Sequence, residues 1–269
     1  MSPVSDLVLV EGCRMTDYFR CNTILETMGD ALPLFGKDQF ASPTRSTIPM
    51  LTMLRHRRDL FNKIIGQMGF SGDYDLCLEH PVSPPLGEGK ASCTDVMITA
   101  GTSGLAIEGK WTEPMYETVG EWLNQREDQT SRRQVLQGWL SLLQPHVEKT
   151  LDLSDFDSVI YQMLHRAASA ATAEQPVMAY FQFKPSPDPR TAAPNETLEK
   201  LSDLWNQLGG PTAFPFYLVE IEIHPTDAYA PLRMLAKGDK STAKIVRAAL
   251  EQPVPLLSFS NVRSRKVGS

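Results

Sequence analysis

Asp95, Glu108 and Lys110 are the residues whose types and spacing suit chemistry. Two neighbouring carboxylates repel each other unless something positive sits between them. A hard divalent cation takes oxygen ligands and satisfies both, and magnesium in particular keeps several waters and welcomes phosphate oxygens. Such an ion polarises a phosphodiester and activates water. A lysine beside it orients the attacking water or offsets charge on the phosphorus. The trio fits phosphodiester hydrolysis.

The elements that must position these groups follow from the pattern around them. Residues 93–99 (CTDVMIT) and 105–111 (LAIEGKW) read as two strands around the tight turn Gly101-Thr102-Ser103-Gly104, a hairpin. Side chains alternate between the faces of a strand. Leu105 and Ile107 therefore share one face, and Glu108 and Lys110 share the other, roughly 7 Å apart. Asp95 lies on the face of Cys93 and Met97, and hairpin pairing sets it beside Glu108. The plain alternative is a same-face cross-strand ion pair worth roughly a few tenths of a kcal/mol.

Thr94-Asp95, twelve intervening residues and Glu108-Gly109-Lys110 resemble the PD-(D/E)xK nuclease motif, with Thr94 standing where proline is named. The wider stretch from Glu79 to Arg166 is similar to a bacterial branch of restriction-endonuclease-like proteins, through Glu79-His80-Pro81, Ser92–Ile98, Ala106–Pro114 and Tyr161-Gln162-Met163-Leu164. The resemblance covers about a third of the chain. It implies an α/β fold with a mixed central sheet flanked by helices, and C-terminal additions beyond the restriction-endonuclease-like core. It implies Asp95 and Glu108 as metal ligands, Glu79 as a further ligand, Lys110 as the catalytic lysine and Gln162 as a helix glutamine that positions the site. The cofactor expected is Mg2+, with Mn2+ as substitute. Some members of the superfamily also recruit a helix glutamate to the metal, for which Glu26 is the candidate here.

The remaining elements read as follows. Residues 14–29 are expected as a short helix, and 48–68 as one amphipathic helix with Leu51, Leu54, Leu60, Ile64 and Met68 on one face. Arg55, Arg57, Arg58 and Lys63 form a basic patch on that helix, either a solvated face or a set of phosphate contacts. A strand at 74–82 ends near Pro81, and 83–92 is a turn-rich connection. Helices are expected at 115–125, 131–143 and 152–173, the last N-capped by Ser154 or Asp155. Strands at 176–183 and 216–223 and helices at 196–208 and 240–251 complete the pattern. Residues 1–260 form one nuclease-like domain with its catalytic core at about 45–185, and 261–269 is a basic flexible tail. Trp111, Trp122 and Trp139 read as packing residues, not as a base-stacking platform.

Bulk properties bound the function class. Hydrophobic residues make up 42% and charged residues 22% of 269, enough for a sizeable core. A net charge of −6 excludes a generic polycation, so nucleic acid would meet a local basic surface. Cys13, Cys21, Cys77 and Cys93 have neither zinc-ligand nor disulfide-scaffold spacing. Met1 to Asp6 makes a poor secretory signal and no long apolar run is present, so a cytoplasmic protein without a membrane span is expected. The expected activity is that of a DNA endonuclease of restriction or repair type. The alternative is a nuclease-fold binding module without cleavage, and a hydrolase of smaller diesters is a third reading. Cutting both strands of a duplex would favour a homodimer.

Overall fold

A computed structural model describes residues 18–20 and 23–268. In chain order the elements are β1 (Tyr18–Arg20), β2 (Thr23–Leu25), α1 (Met28–Ala31), α2 (Thr47–His56), α3 (Arg58–Gly66), β3 (Asp75–Val82), β4 (Ser92–Ala100) and β5 (Ser103–Lys110). They continue with α4 (Val119–Asn124), α5 (Thr130–Leu143), α6 (Tyr161–Ala170), β6 (Gln175–Lys184), α7 (Pro194–Gln207), β7 (Phe216–Pro225), α8 (Lys240–Glu251) and β8 (Leu257–Lys266). The strands form one 8-stranded sheet in the order β2-β1-β3-β4-β5-β6-β7-β8. Strands β3, β4 and β5 are antiparallel neighbours, β5, β6 and β7 run parallel, and β8 returns antiparallel. The architecture is the expected α/β one, a mixed sheet with helices on both faces.

Strand alternation builds two separate cores. Leu76, Leu78, Val96, Ile98, Leu105 and Ile107 face Ile48, Leu51 and Leu54 of α2, Phe61 and Ile64 of α3 and Val246 of α8. Met97, Ala106, Met178 and Leu218 face the other way, against Leu136 and Trp139 of α5, Met163 and Leu164 of α6 and Leu201 of α7. Burial on both faces explains why the central strands are apolar almost throughout. Glu108 and Lys110 continue the second face, and they are polar positions in an otherwise apolar row.

Several expectations change. Tyr18–Arg20 and Thr23–Leu25 are paired strands and only Met28–Ala31 is helical, so the helix expected at 14–29 does not form where it is described. The aromatic and β-branched residues there suit pairing beside β3. Cys13, Cys21 and the Met1–Asp6 start lie outside the described residues. The helix expected at 48–68 breaks into α2 and α3 at Arg57, whose backbone (φ −137°, ψ 47°) leaves the helical region. The helix expected from Asp152 begins only at Tyr161. Asp152, not Ser154 or Asp155, caps a short turn at Leu153–Phe156 through its side chain, and the extended Ile160 bridges Thr118. The supposed tail is the edge strand β8, registered on β7 from Tyr217↔Lys266 to Pro225↔Leu257. Among the described residues no helix is long and apolar enough to cross a membrane.

Candidate active site

The site forms where the β4–β5 ladder stops. The last paired positions are Val96 and Ile107. One step further, Gly109 N–H donates to Asp95 Oδ2 at 2.8 Å instead of to a main-chain carbonyl. Gly109 leaves room for this: a side chain there would meet Met50, Ser46 and Asp95 at 3.3 to 3.4 Å. On the other side of β4, Glu79 stands opposite Asp95, between the pairs Leu78↔Val96 and His80↔Thr94. Glu79 has φ 49° and is the only non-glycine residue with positive φ among the described residues. That conformation is uncommon for a residue with a side chain and persists only where surrounding structure holds it. Glu79, Asp95 and Glu108 thus lie side by side across three adjacent strands.

The cationic half comes from β5 and α6. Lys110 Nζ donates to Glu108 Oε1 (3.2 Å) and to Gln162 Oε1 (2.6 Å). Gln162 Nε2 donates back to Glu108 Oε1 (2.7 Å), so the amide bridges acid and amine and fixes both. Arg166, one helical turn after Gln162, donates to Glu108 Oε2 (2.5 Å) and to Ser92 Oγ (2.5 Å). Ser92 also meets His165 Nδ1 at 2.9 Å.

The electrostatics of the two carboxyls diverge. Burial raises the Asp95 carboxyl well above the usual carboxylate range, and the negative charges of Glu108 and Glu79 push it further up, against Arg166 and the Gly109 N–H. Burial works the same way on Glu108, but the Arg166 guanidinium and Lys110 ammonium outweigh it and hold Glu108 below its usual range. Burial, with Arg166 and Lys110 alongside, drives His165 well below the usual imidazole range, so it is neutral at pH 7. Burial, reinforced by Glu108, pushes the Tyr180 phenol well up, so it stays protonated. Tyr180 and Gln182 pair with Glu108 and Lys110 on the neighbouring strand. Tyr180 Oη and Gln182 Oε1 are buried with no hydrogen-bond partner among the described residues.

Glu79, Asp95, Glu108, Lys110, Gln162 and Arg166 line a cleft of about 1450 Å³ walled by β3–β5 and α4–α6, larger than the usual 300–1,000 Å³ range of small-molecule pockets. Its floor is tied to α2 by Glu113, whose Oε1 accepts from Ser46 N (2.9 Å) and Oγ (3.0 Å) while Oε2 accepts from Trp111 N (2.9 Å) and Thr112 N (3.1 Å).

Of the residues singled out in the sequence, Glu79, Asp95, Glu108, Lys110 and Gln162 come together here. The basic patch does not. Arg55 donates to the Leu250 carbonyl, Arg57 pairs with Asp59 at 3.0 Å, Arg58 lies over the rings of Phe61 and Tyr74, and Lys63 is exposed. None of the four lines the cleft, because α2 and α3 cover the opposite face of the sheet. Glu26 is exposed, lies outside any helix and does not line the cleft either. Trp111 and Trp139 are buried as expected, whereas Trp122 is half-buried; Trp122 and Trp139 both line the cleft. Sequence reasoning passed over Arg166, although its position four residues after Gln162 was the available signal.

Among the described residues no group of three His, Cys, Asp or Glu side chains is close enough to enclose a metal ion. Magnesium does not need such a cage, since one or two carboxylates plus waters suffice. Asp95 fits that demand: it is half-buried, held by one N–H, and crowded by two other acids.

No curated protein and no solved structure matches the chain. The family model described as a domain of unknown function, DUF6946, matches residues 25–214, most of the chain, and the chain belongs to that family.

Proposed function

We propose that the chain is a divalent-metal-dependent phosphodiester hydrolase of the PD-(D/E)xK type, acting on nucleic acid, DNA first, in the manner of a restriction or repair endonuclease. The observation that carries this reading is the crowding of buried Asp95 by Glu108 and Glu79, which raises its carboxyl above the usual range, next to a lysine already oriented by Glu108 and Gln162. Asp95 and Glu108 would hold Mg2+ or Mn2+, with Glu79 behind Asp95. The ion, when bound, would polarise the phosphate and favour hydroxide over water.

The chain's own groups supply the rest. Lys110 Nζ orients the attacking water and offsets negative charge building on the phosphate oxygens. Water adds to phosphorus, the bond to the leaving oxygen breaks, and a phosphate monoester and an alcohol result. Gln162 keeps Lys110 and Glu108 in register, and Arg166 anchors Glu108 from below. A cytoplasmic setting belongs to the same proposal, in line with a cysteine spacing that suits no disulfide scaffold.

A second reading, a nuclease-fold module that binds without cutting, is favoured by one observation: Arg166 and Lys110 already neutralise Glu108 without a metal. One assay separates them. Plasmid DNA, single strands, RNA and small diesters are incubated with the wild type and Asp95→Ala, with Mg2+, Mn2+ or chelator. The hydrolase reading expects metal-dependent cleavage of at least one substrate, abolished in Asp95→Ala. Cleavage at the wild-type rate by Asp95→Ala, or none by either protein, removes it.

A further inference from the structure

The wall of the cleft made by α4, α5 and the segment before them carries aromatic rings interleaved with cations. Tyr116 is 41% exposed, and Lys110 Nζ sits 4.6 Å from its centroid. Beyond it, Trp122 stacks on Tyr161 with centroids 3.9 Å apart and planes 12° apart. The Arg132 guanidinium lies 4.8 Å from the Trp122 centroid. Tyr116, Trp122 and Tyr161 all line the cleft that holds Asp95 and Glu108.

Tyr161 is held in place by Trp139 Nε1, which donates to its hydroxyl at 3.2 Å, and by the edge of His165 at 5.1 Å. The stack is therefore a fixed part of the wall. Rings that are merely packing would turn away from a polar cleft, and Tyr116 does not. Flat apolar rings alternating with guanidinium and ammonium groups are the features that hold unpaired nucleotides: bases stack on the rings, and cations follow the phosphates.

The charge on the rim favours one strand over two. Glu117, Glu127 and Asp128 stand on the cleft lining beside Arg126 and Arg132. A duplex brings a phosphate charge about every 1.7 Å of its axis from two backbones. The acids repel a second backbone, while a single strand can set its bases on the rings and its phosphates against Lys110, Arg126 and Arg132.

We propose that this wall is a nucleobase-stacking site and that the substrate is single-stranded nucleic acid, or an unpaired end or loop, with Tyr116 as the stacking platform next to Lys110. The inference rests on the hydrolase reading and narrows it, since a strand cut alone needs no two-fold dimer.

The test is binding with metal chelated, so that cleavage plays no part. A short fluorescein-labelled oligodeoxythymidine is compared by polarisation with its abasic counterpart and with the duplex of the same sequence. The intact strand should bind at least about tenfold tighter than either. Tyr116→Ala should weaken it roughly fivefold to a hundredfold, the usual cost of one lost base-stacking contact. Tyr116→Phe, which keeps the ring, should bind as the wild type does. Tyr116 is exposed, so both variants are expected to fold, and circular dichroism checks this.

An abasic strand bound as tightly as the intact one, a preference for duplex, or a Tyr116→Ala variant that binds normally would overturn the proposal. So would tight binding of a neutral oligosaccharide in place of the strand. If the strand binds through its bases but is not cut when Mg2+ is restored, the stacking site stands and the hydrolytic reading fails. If only duplex is cut, indifferently to Tyr116, the reverse holds.

Discussion

Two glutamates on the same sheet are each buried and each paired with one lysine and one arginine, yet only one belongs to the candidate site. Glu220 on β7 meets Lys184 at 2.8 Å and Arg265 at 2.9 Å. Glu108 on β5 meets Lys110 at 3.2 Å and Arg166 at 2.5 Å. The groups that bear on Glu220 through charge are all cationic, Arg265, Lys184 and Arg263, and it lines no part of the cleft. Glu108 is in turn one of two acids, with Glu79, that crowd Asp95, and all three line the cleft. A buried ion pair is thus ordinary here. What marks the site is a second carboxyl, Asp95, crowded by two other acids at the wall of a cleft.

The comparison can be broken most decisively through the lysines. Lys110→Ala should lower metal-dependent cleavage by at least about a hundredfold, the scale on which charge stabilisation in a transition state is lost. Lys184→Ala should leave it within a factor of about two. Initial rates on the best substrate decide this, and equal rates in the two variants would erase the distinction drawn between the clusters.

Stability sharpens it next. Arg166→Met leaves Glu108 buried opposite Lys110 alone and should cost about 3–5 kcal/mol. Lys184→Met should cost at most about 1 kcal/mol, because Lys184 is 42% exposed and its pairing is screened by solvent. Urea unfolding of both variants measures the gap.

The pH dependence separates the carboxyls. Asp95 has a raised folded pKa, so the folded state binds more protons than the unfolded one above about pH 4, and stability falls as pH rises through that window. Asp95→Asn removes the penalty. In chelator the variant should melt higher than wild type at pH 7, and the gain should shrink towards pH 4. Glu108 has the opposite sign: its folded pKa is depressed, so its contribution is present above its unfolded value and is lost as pH falls through the folded one. Glu108→Gln should therefore lower the melting temperature at pH 7. A destabilised Asp95→Asn at neutral pH would mean that Asp95 is not crowded.

The smallest effect is expected at Tyr180. Its hydroxyl is buried without a partner among the described residues, so Tyr180→Phe should change stability by under about 1 kcal/mol, towards greater stability. A marked loss on thermal melting would show that the phenol has a partner the fold depends on.

The β4–β5 hairpin was legible because its alternation is clean: Leu105 and Ile107 go to one core, Ala106 and Glu108 to the other side. Glu79 and Gln162 were reachable through the motif they resemble. Arg166 follows Gln162 by one helical turn, but its contact with Glu108 spans 58 residues of sequence, which no local period encodes. Periodicity found the amphipathic character of α2 and α3, but it names a helix face and not the side of the sheet that the helix covers. That is why the basic patch at Arg55 to Lys63 was linked to a site it does not reach. Three-residue strands such as β1 and β2 are too short to carry a period, so 14–29 read as helix. In β8 the basic residues drew attention away from Leu257 and Phe259, which are buried, and from Arg265, which the sheet uses to pair with Glu220.

The central claim is that Asp95 and Glu108, with Glu79 crowding Asp95 from behind, await a divalent cation. Titrating Mn2+ into the chelator-treated protein, with free ion followed by electron paramagnetic resonance, tests it most directly. One site is expected in the wild type and in Glu220→Gln, and its loss in Asp95→Asn. Binding that survives unchanged in Asp95→Asn, or no binding in any of the three, would contradict the account.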